Sequence, residues 1–356
     1  MERPKIRNYL DIVPMGRDKI QVRSSESVSV LRGQTVEEVF KHLLPLLDGN
    51  NTVEEIILKL DSLASEDVVR GALDGLANSM IIEDAAQADD GVITEEIARY
   101  RKQLTFFAVI NELGGELEYQ KTLKEGSLLI VGDGDLARAI VDDTGLAGVG
   151  TIRALNLPDD ISLRAINELV SIEGFGARLE DLKPLEDALA SGPYSMLAVA
   201  FDRPEPSLIG SINDITQSFN IPLLLTQLNG TEAVVGPFVI PGKTACLLCH
   251  HLRTLRNLDF YEEYRAWEKW TGTDGKDMRA AIGTLGSFTS VVAGLAATEI
   301  IRRICFFYEP ELYGKFLTVN ALTYEVISHQ VLRLPRCPGC GKARNLTVET
   351  PWLENR

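Results

Sequence analysis

Cys246-Leu-Leu-Cys249 and Cys337-Pro-Gly-Cys340 constrain this chain more than any other feature. Two C-x-x-C pairs supply four thiolates, the complement of a closed tetrahedral zinc site. A redox-active C-x-x-C works alone, so the doubled pair favours metal over disulfide chemistry. Pro338-Gly339 lets the backbone turn tightly enough for both sulfurs of the second pair to face one ion. A shared ion would tie the far end of the chain back to an internal segment. Four thiolates leave no open coordination position, so the zinc expected here is structural rather than catalytic. Buried, unmetallated cysteines are the alternative. The fifth cysteine, Cys305, lies among Ile300, Ile301, Ile304, Phe306 and Phe307 and reads as a small core residue.

The rest of the composition narrows the class. A chain of 356 residues is long enough for two domains with cores of their own. Hydrophobic content of 45% and charged content of 24% are ordinary for a soluble globular protein. No basic-then-apolar opening segment suggests secretion. The longest apolar stretch, Ile282 to Phe307, is interrupted by Glu299, Arg302 and Arg303, so a buried helix is expected there and no membrane span. Unpaired thiols and the missing signal point to a reducing cytoplasm. A net charge of −15 argues against nucleic acid as a partner, because phosphate binding needs a positive surface.

Two regions differ in character. In residues 1–84, three short β-prone runs come first: Leu10–Val13, Lys19–Arg23 and Ser27–Leu31. Capping boxes at Thr35-Val-Glu-Glu38 and Thr52-Val-Glu-Glu55 open two helices, the first with Val36, Val39, Phe40, Leu43 and Leu47 on one face. Ser65 caps a third helix, with Val68, Val69, Leu73 and Leu76, and Ile81-Ile82 closes as a strand. Strands and three short helices predict a small winged helix-turn-helix. Its third helix carries Glu66, Asp67 and Asp74 against one Arg70, which disfavours DNA reading and favours docking or dimerisation. An exposed strand edge beside a helix suits an extended peptide. Residues 85–91 are small, polar and turn-prone and are expected to link this domain to an α/β domain over 92–356.

In the second region, Leu128–Val131 is a continuous apolar run that leads into the G-x-G-x-x-A turn Gly132-Asp-Gly134-Asp-Leu-Ala137 and a helix over Leu136–Asp143. Thr151–Leu155, Met196–Ala200 and Pro222–Leu225 supply further strands, which predicts an open α/β sheet. Glycines let a phosphate approach a helix N-terminus. Asp133 and Asp135, however, add negative charge there, and Asn156 stands where an acidic ribose ligand would be. An inherited fold without a working nucleotide site would present the same turn.

These segments carry a resemblance. Arg99-Tyr-Arg-Lys-Gln103, the glycine turn, the cysteine pairs and Gly294-Leu-Ala-Ala-Thr-Glu299 fall in the order seen in ThiF/MoeB-type proteins, the superfamily of the ubiquitin-activating adenylating enzymes. Leu129–Ala139 and Gly236-Pro-Phe-Val-Ile-Pro-Gly-Lys-Thr-Ala-Cys-Leu-Leu-Cys249 more closely resemble the ThiF-like partner protein of azoline-forming peptide cyclodehydratases. The N-terminal domain is similar to the PqqD-like recognition element of ribosomal peptide natural-product pathways. The resemblance implies a Rossmann-like ThiF domain with structural zinc, and a leader peptide bound to the N-terminal domain. The implied docking edge is Ser27, Val28, Ser29, Val30 and Leu31, with Val69, Leu73 and Leu76 as the opposite wall where the core does not use them up. A separate YcaO-type enzyme would then use ATP to form thiazoline or oxazoline rings. The ThiF-like partner is not the ATP-using subunit of such systems, so no ATP is expected on this chain, and homodimers are common among its relatives. The alternative is an adenylating enzyme acting on a peptide. It would use Gly132, Gly134 and Asp202, the last where active members hold magnesium, with Arg99 from a partner subunit. The Asn-Leu-x-Arg-Gln element of active members has no good match between Asn156 and Ile172.

Overall fold

Alternation of apolar and polar residues near the start of the chain lets short strands bury one face. The computed structural model describes residues 1–16, 18–33, 39–85, 94–110, 115–155, 170–173, 182–273 and 282–341. The chain divides into two compact units, Met1–Gln120 and Lys121–Arg356. In the first, β1 (Pro4–Ile6), β2 (Asp11–Pro14), β3 (Lys19–Arg23) and β4 (Val28–Arg32) precede α1 (Lys41–Leu43) and a 3-10 turn, Leu44–Leu46. Then come α2 (Val53–Leu60), α3 (Glu66–Asn78), β5 (Ile82–Asp84), α4 (Thr94–Ile110) and α5 (Glu116–Glu125), within which the division falls.

Strands β2, β3 and β4 form an antiparallel sheet, with β3 in the middle. A second antiparallel pair joins β1 to β5, with Ile6 opposite Ile82. The sheet buries Ile20 and Val22 of β3 against Leu43, Ile56, Val69, Leu73 and Leu76. The expected capping box at Thr52 is present. Its hydroxyl accepts the Glu55 N–H at 3.2 Å, and the Glu55 carboxylate accepts the Thr52 N–H at 2.8 Å. Ser65 stands at the expected N-cap of α3, although its side chain makes no capping hydrogen bond. Thr35–Glu38, the other expected box, and residues 86–91 of the expected linker lie outside the described residues. Val39, Phe40, Leu43 and Leu47 are buried as that helix face requires. The described helix nevertheless shortens to a 3-10 turn at Leu44, because Pro45 has no N–H to continue an α-helical ladder.

The second unit runs β6 (Ser127–Asp133), α6 (Asp135–Leu146), β7 (Thr151–Leu155), β8 (Val170–Glu173), α7 (Lys183–Ser191), β9 (Met196–Phe201), α8 (Ile209–Ser218), β10 (Leu223–Asn229) and β11 (Glu232–Val239). It continues with α9 (Leu247–Arg256), α10 (Tyr261–Thr271), α11 (Gly286–Cys305), β12 (Lys315–Asn320) and β13 (Val326–Gln330). The sheet order is β13-β12-β11-β10-β9-β6-β7-β8. From β10 to β8 the neighbours are parallel, and β11 to β13 add an antiparallel flank. Leu129, Val131, Leu197 and Val199 pack with Leu185 of α7 and Ile212 of α8. Strand alternation turns Leu128 and Ile130 to the opposite face, where they are also fully buried. Coverage on both faces is why these strands read as continuous apolar runs. The run Ile282 to Phe307 does contain a helix, but its end differs from expectation: Phe306 adopts a left-handed conformation just past the C-terminus and is exposed. Glu299, expected to interrupt the apolar run, is itself buried. Its carboxylate accepts the Leu312 N–H at 2.9 Å and pairs with Arg302 at 3.0 Å. Among the described residues, no helix is long and apolar enough to cross a membrane.

Candidate functional site

The four paired cysteines converge. Cys246 caps the N-terminus of α9, which puts Cys249 in its first turn. Cys337 and Cys340 sit in a tight turn closed by the Gly341 N–H bonding to the Cys337 carbonyl at 2.8 Å. All four sulfurs lie within 4.8 Å of one another. Cys246 Sγ is 3.8 Å from Cys249 Sγ and 3.6 Å from Cys337 Sγ, and Cys249 Sγ is 3.5 Å from Cys340 Sγ. A disulfide needs about 2.05 Å. Tetrahedral coordination with zinc–sulfur bonds of about 2.3 Å spaces sulfurs about 3.8 Å apart. The cluster therefore fits a metal ion and not two disulfides. Burial pushes the Cys246 thiol up, and that of Cys340 up to about 11. At Cys249 burial also opposes ionisation, but the Leu334 N–H, 3.4 Å from its sulfur, and the neighbouring thiols outweigh it and lower the thiol. A cation that holds all four as thiolates removes this competition. Sequence reasoning missed Asn213. From α8, its buried side chain accepts the Leu248 N–H at 3.4 Å and so props the first cysteine turn. No short-range pattern links the two.

The glycine turn lies where the fold places nucleotides, at the carboxyl end of β6 and the start of α6. Its glycines meet packing demands that need no ligand. A Cβ on Gly132 would lie 2.1 Å from the Ala200 carbonyl oxygen, and one on Gly134, whose φ is +90°, would lie 2.3 Å from an Asp202 oxygen. The Asp202 carboxylate, just past β9, accepts the Asp135 N–H and the Leu136 N–H, both at 2.9 Å. Those are the first free amides of α6, the donors a phosphate would use. Asp202 thus stands at the turn as an anion seated on the helix N-terminus. Asp135 is exposed and pairs with Arg138 at 2.9 Å. Arg99 is an exposed residue of α4 and belongs to the other unit. Asn156 lies outside the described residues.

In the N-terminal unit, β4 is an outer strand of its sheet. Ser24 N–H bonds to the Ser27 carbonyl, and Gly33 N–H to the Asp18 carbonyl, at the two ends of the β3–β4 pairing. Antiparallel alternation then directs the amides of Ser29 and Leu31 toward β3, and those of Val28, Val30 and Arg32 toward the free edge. Val28 is 54% exposed and Val30 41%. The opposite outer strand, β2, contains Pro14, which has no donor to offer. The expected second wall needs correction. Val69, Leu73 and Leu76 are buried in the core against Ile20 and Val22, so they are not accessible to a peptide. Helix period puts Glu66, Asp67, Val68, Arg70, Gly71 and Asp74 on the solvent side of α3 instead.

With this geometry established, comparison with known proteins gives the family. A model of the ThiF family matches residues 160–341, just over half of the chain. The chain belongs to the ThiF family. No curated protein sequence matches it significantly. Among solved structures, the heterocyclase TruD superposes with a TM-score of 0.62 at 19% identity, covering 96% of this chain and 43% of that one. A heterocyclase in complex with substrate and cofactor gives 0.62 at 21%, covering 97% and 40%. E. coli MccB, solved with ATP, gives 0.62 at 18%, covering 95% and 99%. At such identities the likeness is one of fold. This ThiF-family chain spans about two fifths of the two heterocyclases and nearly all of MccB.

Proposed function

We propose that this ThiF-family protein is a leader-peptide-binding scaffold that presents a ribosomally made precursor to a separate YcaO-type, ATP-dependent cyclodehydratase in the cytoplasm. Residues 1–84 form its winged-helix-type recognition domain, 85–91 the linker and 92–356 the ThiF-like domain, which one structural zinc ion on Cys246, Cys249, Cys337 and Cys340 ties together. Homodimers of the chain accompany this reading. The observation that carries it is the free edge of β4. Val28, Val30 and Arg32 direct main-chain groups outward there, while Pro14 blunts the other edge. An added peptide strand gains main-chain hydrogen bonds of about 0.5–1.5 kcal/mol net each. The exposed valines and the acidic solvent face of α3 then bias side-chain choice, basic residues gaining under about 1 kcal/mol per exposed pair. The fold likeness to heterocyclases supports the pathway assignment.

Val30→Pro tests the docking edge. It deletes an outward donor and leaves the β3–β4 ladder intact. We expect fluorescence anisotropy with the labelled leader of the co-encoded precursor to give a three- to tenfold weaker complex, about one hydrogen bond's worth. Unchanged affinity in a variant with unchanged thermal unfolding refutes β4 as the edge.

The fold likeness to MccB, solved with ATP, favours a second reading, in which the chain adenylates a peptide. The Asp202 carboxylate on the amides of Asp135 and Leu136 weighs against it, because a phosphate would have to displace a resident anion. ATP–pyrophosphate exchange by the purified chain would establish the second reading.

A further inference from the structure

A cavity of about 550 Å³ opens at the turn from α9 into α10, lined by Asp259, Phe260, Glu263, Tyr264 and Trp267. Its size falls within the roughly 300–1,000 Å³ of small-ligand sites. Three of these side chains are aromatic and two are carboxylates. Phe260, one of the lining residues, is 72% exposed, so its ring is accessible from solvent. Tyr264 and Trp267 lie with ring centroids 5.3 Å apart and interplanar angle 58°, one turn along α10. Asp259 and Glu263 are exposed, and among the described residues neither has an ion-pair partner. Glu268, the next acid on the helix, is by contrast engaged by His251 at 2.8 Å and by Arg265. The two carboxylates at the cavity are therefore available charges beside aromatic faces.

Aromatic faces attract cations through their quadrupoles, and an adjacent carboxylate adds a charge-assisted hydrogen bond. A planar guanidinium meets both demands at once, since it can stack on a ring while its edge donors reach a carboxylate. From this combination the geometry points to a site for an arginine side chain of a peptide, held over Phe260, Tyr264 and Trp267 by Asp259 and Glu263. The chain's net charge of −15 would steer such a basic segment toward it. The cavity belongs entirely to the second unit, so the inference stands whether or not a leader peptide docks on β4.

The test uses the purified full chain and two labelled peptides, acetyl-Gly-Arg-Gly-Arg-Gly-amide and its citrulline counterpart, in which the guanidinium is replaced by a neutral isostere. The arginine peptide is expected to bind at least about tenfold more tightly than the citrulline peptide. Asp259→Asn with Glu263→Gln should remove most of that difference. These changes alter two charges out of a large acidic excess, so diffuse attraction would barely respond. Phe260→Ala should weaken the arginine peptide severalfold with unchanged thermal unfolding, because the ring is already exposed. Val30→Pro should leave this binding unaltered, which separates the site from the β4 edge. Equal binding of the two peptides, no binding of either, or full affinity in the Asp259→Asn/Glu263→Gln and Phe260→Ala variants would each overturn the assignment.

Discussion

Three side chains show how local chemistry fixes roles. Cys340→Ser removes one of four convergent sulfurs, and we expect zinc affinity to fall at least about tenfold, since even outer-shell changes act on that scale. Metal analysis together with a thermal melt checks this, and a full zinc complement at unchanged stability contradicts it. Cys305 behaves oppositely. Burial pushes its thiol from the ordinary 9.0 up to about 12, so it remains neutral in the folded chain. Its contribution to stability is complete below pH 9 and is lost as pH rises toward 12, because only the unfolded thiol ionises in that window. A thiol reagent at pH 8 should leave Cys305 unmodified until the chain unfolds. Asp202→Ala strips the acceptor from two amides of α6 and should cost about 1–2 kcal/mol, read by denaturant titration. The cysteine cluster was legible in the sequence because its spacing encodes its geometry. The seat of Asp202 was not, because a carboxylate at a strand end gives no sign of which amides it will meet. The burial of Val69, Leu73 and Leu76 was half legible. Helix period put them on one face, but period alone does not say whether that face meets a core or a ligand.

Elements were legible where burial left a pattern. The parallel strands β6, β9 and β10 stood out as apolar runs because helices cover both sheet faces. The flank β11 to β13 escaped notice. Lys315–Asn320 is mostly half-buried and Val326–Gln330 mostly exposed, so neither keeps a clean alternation. β1 has three residues, too few for any period. The capping box of α2 was readable because both of its bonds are local. That helix holds the N-terminal core through Val53, Ile56 and Leu60. Ile56 is fully buried, and Ile56→Ala should destabilise the unit by about 2–5 kcal/mol through lost transfer energy and the cavity left behind. An equilibrium urea titration showing less than about 1 kcal/mol would mean that the site collapses around the smaller side chain.

Across the whole molecule, an acidic ThiF-family chain joins a sheet with a free outer strand to an α/β unit in which the first amides of α6 are already occupied by the chain's own Asp202 carboxylate. Strand and helix patterns separated residues 1–84 from the rest of the sequence, whereas the compact units of the structure meet at Gln120, within α5. Under the proposed function, peptide capture is this chain's task and nucleotide chemistry falls to a partner. Titration of the full chain with the labelled leader peptide, with and without saturating ATP and magnesium, tests this most directly. Saturable binding of the same affinity is expected in both conditions, with no heat of binding for ATP itself. Leader binding that appears only with ATP, or micromolar ATP binding by the chain alone, would contradict it.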